Sequence, residues 1–287
     1  MKKIKDLTVI LFIYVLAFAL GYFSCLYFEN IMLRLFMFDT VATVVTFVFS
    51  VSYKNSSVYD AYWSVTPMIM SVWLFIINKA FAPFQILFLV VFNVWSIRLT
   101  ANWITVFTDF SYEDWRYKKF RDETPKIFWP LVNFFGIHYM PTLVVFLGML
   151  PLFRIAEGDI GILSVAGILV MLWGIGLEFF ADRQMHGFLN STPNGDVLRV
   201  GLWKYSRHPN YLGEISFWLG AYLSMLPYAV DYWYYGCGFL SIALLFNIVS
   251  IPLMEKRQLS RRPQYSDYKK ETSRLLLWKK RKMASEK

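Results

Sequence analysis

"IGILSVAGILVMLWGIGLEFFA" (residues 160–181) is apolar but for Ser164 and carries a single charge, the carboxylate of Glu178. As a helix rising about 1.5 Å per residue, the run spans about 30 Å, the thickness of a bilayer's hydrocarbon core. Blocks of the same kind recur outward from it at about 7–28, 32–53, 64–78, 82–106, 127–152, 212–227 and 232–253, with short polar joins between them. Composition agrees: 57% of residues are hydrophobic, 20% are aromatic, and the mean hydropathy is +0.42. Soluble domains are usually about 45–50% apolar. The expected fold is therefore all-α, a polytopic integral-membrane bundle of about 7–8 transmembrane helices forming a single membrane domain.

A net charge of +9 raises the question of nucleic acid. The positions of the 29 basic residues answer it. With the N-terminus cytoplasmic, 25 of them fall on the cytoplasmic side, only Arg34, Lys79 and Arg154 fall opposite, and Arg98 lies inside a span. That asymmetry is the positive-inside signature, which explains the basicity without a nucleic-acid partner. Both termini, and any elaborate loop chemistry, are expected to face the cytoplasm. The first span is long for a signal peptide core and has no small-residue cleavage site after it, so it reads as a retained helix. Cys25 and Cys237 are far apart in apolar surroundings, with neither a CxxC pattern nor a nearby His, and suggest neither a metal site nor a disulfide framework.

Three polar constellations sit at the ends of apolar spans, where ionisable groups are costly and usually face a protein interior or a wet cavity. In "WSIRLTANW" (95–103), Arg98 and Asn102 are four apart and share a helix face. In "EFFADRQMH" (178–186), Glu178, Asp182 and His186 form one stripe. In "GLWKYSRHPNYLGE" (201–214), Pro209 suits the first position of a helix, so Lys204, Arg207 and His208 gather beside a helix start with free backbone N–H groups. Asn210 and Glu214, again four apart, point along one face of that helix. The set suits an anionic phosphate-bearing cofactor. Plainer readings exist for each: Arg98 snorkelling or pairing with an acid such as Glu178, His186 at the interface, and 201–214 as an ordinary helix cap. His138 reads as structural. "GIGLEF" (174–179) lacks the third glycine and the strand–turn–helix setting of a dinucleotide fingerprint, and no Walker A, GxSxG or HExxH pattern occurs.

In chain order, "YDAYWS" (59–64), "WSIRLTANW", "EDWRY" (113–117), "EFFADRQ", "GLWKYSRHPNYLGE" and the tail "MEKRQLSRRPQYSDYKKETS" resemble the membrane reductase group that includes the steroid 5-alpha-reductases, the sterol reductases and the bacterial proteins called DUF1295. The likeness covers most of the chain from about residue 35. It implies an N-terminal helix over 1–30 and a reductase domain over 31–287, with the part holding NADPH at about 95–275, and a lipid substrate that enters from the membrane. Asp182, Asn210 and Glu214 match positions that hold the nicotinamide nucleotide, and Arg207, His208 and Tyr211 belong to the same motif. Arg98, Asn102 and Glu178 are further cofactor-side assignments. In the steroid-reducing relatives a Tyr or Glu acid polarises the carbonyl of an enone, and Tyr62 is the candidate here. The function implied is NADPH-dependent reduction of a carbon–carbon double bond in a steroid-like or isoprenoid-like lipid. The alternatives are an isoprenylcysteine-type carboxyl methyltransferase using S-adenosylmethionine, whose relatives share "RHPxYxG", and a non-catalytic lipid-binding membrane protein.

Overall fold

The computed structural model describes residues 1–158, 160–192 and 196–278. Among these residues the chain is helical and has no strand, only one isolated bridge, Ser206 to Ser273. It divides into two compact units, Met1–Asp159 and Ile160–Lys287.

The first unit holds α1 (Lys2–Cys25), α2 (Ile31–Ser52), a helix continuing from a 3-10 turn that is taken together as α3 (Ser56–Ile77), α4 (Pro83–Val106), the short polar α5 (Trp115–Glu123) and α6 (Trp129–Glu157). Local chemistry sets several starts. The Asn30 side chain accepts from the Leu33 N–H at 3.0 Å, Asn55 caps the 3-10 turn through Ser57, and Asp114 caps α5 through Arg116. The N-terminal helix packs within this unit: a Cβ at Gly21 would stand 2.7 Å from the Phe38 carbonyl of α2, and Tyr14 donates to the Val58 carbonyl at 2.6 Å.

The second unit holds α7 (Ser164–Ser191), α8 (Pro209–Met225), α9 (Val230–Arg261) and the short α10 (Tyr265–Glu271). Helices α7 and α8 approach at backbone distance. A Cβ at Gly174 would lie 2.5 Å from the Gly213 carbonyl, and one at Gly220 would lie 2.6 Å from the Gly167 carbonyl. The first glycine of "GIGLEF" thus serves helix packing, as small residues do in membranes.

Among the described residues, seven helices are long and apolar enough to cross a membrane: α1, α2, α3, α4, α6, α7 and α9. The expected eighth span, 212–227, is α8, which has 17 residues, reaches about 26 Å and runs on through a 3-10 turn to Tyr228. Three spans run past their expected ends, each through polar last turns. α6 continues to Glu157 through Arg154, α7 continues to Ser191 through Asp182 and His186, and α9 continues to Arg261 through Glu255.

Candidate functional site

The opening of α8 is as the proline implies: Pro209 is the first helical residue and His208 its non-helical cap, with no side-chain cap bond. α7 lies alongside. Gly167 faces Gly220 and Gly174 faces Gly213, so the two helices run antiparallel and Glu178 comes level with the start of α8, where a Cβ on Gly213 would meet its Cγ at 2.6 Å. Glu178 and Glu214 are buried, at 4% and 2% exposure, while Asp182, Asn210 and Tyr211 are half-buried. Trp218 donates its indole N–H to Glu214 Oε1 at 2.8 Å, one turn along the same helix.

"ADRQ" and "GLWKY" are tied to each other. Gln184 Oε1 accepts from the Leu202 N–H at 2.9 Å and packs on Gly201, whose φ of +59° needs a glycine. The Trp203 indole donates to the Ala181 carbonyl at 3.1 Å. His186 is half-buried on α7, and Lys204 turns outward over the Tyr205 ring at 5.7 Å.

Arg207 and His208 face the C-terminal segment. The Arg207 guanidinium donates to Glu255 Oε1 at 2.8 Å and to the carbonyls of Lys269, at 2.8 Å, and Thr272. Lys269 reaches the other Glu255 oxygen at 3.0 Å, and the His208 ring nitrogen Nε2 lies 3.3 Å from Oε1. Since the carboxylate accepts, Nε2 carries the hydrogen in that contact. The His208 ring stacks on Tyr211 at 5.4 Å, and Tyr211 stacks on Phe246 of α9 at 4.6 Å. The backbone joins in. Arg207 N–H donates to the Ser273 carbonyl at 2.9 Å, Ser206 Oγ donates to the Leu275 carbonyl at 2.6 Å, and Tyr268 donates to the Trp203 carbonyl. The tail thus clamps the entry to α8.

Burial pushes the His208 imidazole below its ordinary value of 6.5, against the upward pull of Glu255, so the folded protein holds it neutral. With the folded value depressed, the unfolded chain binds the extra proton first. Stability is then full above about pH 6.5 and falls as pH drops through the window below it. His208→Gln should remove that part of the pH dependence, so that wild type and variant, compared by thermal unfolding between about pH 7.5 and 5.5, converge toward the acid end. Parallel curves would exclude His208 as the titrating group.

Arg98, Asn102 and Tyr62 belong to the first unit. Arg98 and Asn102 are half-buried on α4. Tyr62 is 1% exposed and its hydroxyl donates to Asp39 of α2, 2.9 Å from Oδ1, and accepts from Thr43 Oγ1 at 3.2 Å. The network continues from Thr43 to Thr142 at 2.9 Å and from Thr142 to Tyr59 at 2.7 Å. The early motifs bind each other. Tyr117 of "EDWRY" donates to Asp60 of "YDAYWS" at 2.7 Å, and Glu113 accepts from the Ser56 N–H at 2.9 Å and from Arg121.

Sequence reasoning missed Glu255 and Asp39. Glu255 stands in the quoted tail but is 48 positions from Arg207, with nothing local to mark the pairing. Asp39 is an acid inside an apolar span, itself a signal, but its partner lies on a different helix.

A family model described as "Protein of unknown function (DUF1295)" matches residues 46–272, and the chain belongs to that family. An uncharacterised protein of Schizosaccharomyces pombe is 26% identical over 262 residues, covering 78% of this chain and 73% of the relative. No solved structure matches the chain at a significant level.

Proposed function

We propose that this DUF1295 chain is an integral-membrane reductase that uses NADPH to saturate a carbon–carbon double bond in a steroid-like or isoprenoid-like lipid, with its cofactor site and termini on the cytoplasmic side. One observation carries the reading. The glycine-packed pair α7–α8 buries two carboxylates, Glu178 and Glu214, beside a helix start where Asn210, Tyr211 and Asp182 remain half-open. Burying acids is expensive, and an ionisable stripe in a membrane protein marks a working site. The charge asymmetry of the loops supports the orientation.

The donor set suits a nicotinamide nucleotide: acceptors at Glu178, Asp182 and Glu214 for amide and hydroxyl groups, a carboxamide at Asn210, and open N–H groups at the α8 start for a phosphate. Bound there, NADPH supplies a hydride. The chain supplies the rest. A proton donor for the carbonyl oxygen of an enone would complete the reduction, and Tyr62, whose hydroxyl is held by Asp39 and Thr43, is the candidate for that role.

The test compares NADPH, NADH and S-adenosylmethionine binding to purified protein in nanodiscs. NADPH should bind saturably, and Asn210→Ala and Glu214→Gln should each weaken it about tenfold or more without lowering the unfolding temperature. The Gln variant keeps an acceptor for Trp218, so its effect reports on charge at the site and not on lost packing. Unchanged affinity in both variants removes these residues from the site. Saturable S-adenosylmethionine binding in place of NADPH moves the protein to the methyltransferase reading, and binding of none of the three ligands overturns both.

A further inference from the structure

Beside the segment that follows α10 lies a cavity of about 460 Å³ whose wall carries four cations, Arg207, Lys269, Lys270 and Arg274, together with Leu276 and Trp278. The two apolar side chains are 62% and 69% exposed. The wall is held in place at several points. Arg207 is fixed by Glu255 and two carbonyls, Arg274 donates to the Asn247 carbonyl, and the Trp278 N–H donates to the Tyr205 carbonyl at 3.2 Å.

The charge is unbalanced. Glu255 is divided among Arg207, His208 and Lys269, and Lys270 meets Asp267 only as a loose surface pair at 3.6 Å. Such a pair contributes little and is easily exchanged. The lining therefore favours an anion. Its height in the fold is set by α9: Glu255 lies six residues, about 9 Å, before the end of that membrane-length helix at Arg261. This is the level at which a span leaves the hydrocarbon core for the headgroup layer, where Trp side chains and basic pockets concentrate. A small soluble anion would gain nothing from Trp278 and Leu276. A phospholipid joins a phosphate to apolar ester chains in one molecule.

We propose that this cavity is a binding site for an anionic phospholipid, its phosphate among Lys269, Lys270, Arg274 and Arg207 and its glycerol and first acyl carbons against Trp278 and Leu276. The proposal stands apart from the reductase reading, since the residues of that reading other than Arg207 lie outside the cavity wall.

The full chain in neutral detergent can be titrated with dihexanoyl phosphatidylglycerol and dihexanoyl phosphatidylcholine, followed by tryptophan fluorescence and by unfolding temperature. Phosphatidylglycerol should bind at least tenfold tighter, more weakly as salt rises, and Lys270→Gln/Arg274→Gln should lower that affinity at least tenfold while leaving phosphatidylcholine unchanged. If the double variant fails to fold, Lys270→Gln alone, at a side chain 64% exposed, should still cost about threefold or more. Equal affinity for the two lipids, or phosphatidylglycerol binding that survives the substitutions, would overturn the proposal. So would displacement of the lipid by NADPH or inorganic phosphate at concentrations below the lipid's own, which would assign the cavity to a soluble organophosphate. Failure of the wild type to bind NADPH at all would sink the reductase reading and leave this one standing.

Discussion

Glu255→Ala is expected to destabilise the second unit by about 3–5 kcal/mol, seen as a large drop in unfolding midpoint in detergent or as loss of folded protein. The carboxylate is 5% exposed and serves three donors at once: Arg207 at 2.8 Å, Lys269 at 3.0 Å and His208 at 3.3 Å. Removing it strands the Arg207 guanidinium, itself 7% exposed, with neutral groups such as the Lys269 and Thr272 carbonyls in place of a charge. Breaking one side of a buried pair costs this much because the remaining charge has lost both water and partner. Tail and helix start would separate together, since Ser206, Arg207 and Tyr268 bridge the same two segments. The double change Glu255→Met with Arg207→Met should be less damaging than Glu255→Ala, because it removes the stranded charge as well. A single-variant loss under about 1 kcal/mol would mean that water replaces the carboxylate freely and that the clamp is a surface feature.

How far the sequence carries the fold follows from where the information sits. Apolar blocks of about 20 residues announce themselves, so the spans are legible, and Pro209 announces the α8 start because its ring fits the first turn of a helix and little else. Span ends are less legible: α7 and α9 continue as helix past their last apolar residues, where hydropathy has already fallen. The π-helical stretch Val132–Tyr139, closed by His138 Nδ1 against the Asn133 carbonyl at 2.9 Å, leaves no periodic trace in "VNFFGIHY". The site divides in the same way. Glu178, Asp182, Asn210 and Glu214 are spaced by four and visible as faces of helices, whereas the Arg207–Glu255 and Tyr62–Asp39 pairs join separate elements and depend on tertiary packing. Asp60, Glu113 and Tyr117, conspicuous as motif letters, bond to neighbours within the first unit and hold its 3-10 turn to the α4–α5 connection.

Tyr62→Phe is expected to lower reductive turnover of an enone lipid by about 10²–10³-fold while leaving NADPH affinity unchanged, because a positioned proton donor contributes about that much to such a step. The substitution also has a structural cost, and the two effects must be separated. Tyr62 donates to Asp39, which is 4% exposed, so the phenylalanine variant leaves that buried carboxyl one donor short, at about 1–3 kcal/mol. A stability loss of that size lowers the amount of folded enzyme but not the rate per folded molecule. Turnover normalised to NADPH-binding sites therefore isolates the chemistry. Asp39→Asn gives the complementary measurement: it keeps an acceptor for the Tyr62 hydroxyl and removes the ionisable group, so a purely orienting Asp39 should leave most of the normalised turnover, and one whose proton tunes the phenol should not. If Tyr62→Phe turns over normally per bound nucleotide, the proton comes from elsewhere. Tyr59 is then the next donor to replace, since it stacks on Tyr62 at 5.2 Å and its hydroxyl shares Thr142 with Thr43 in the same buried network.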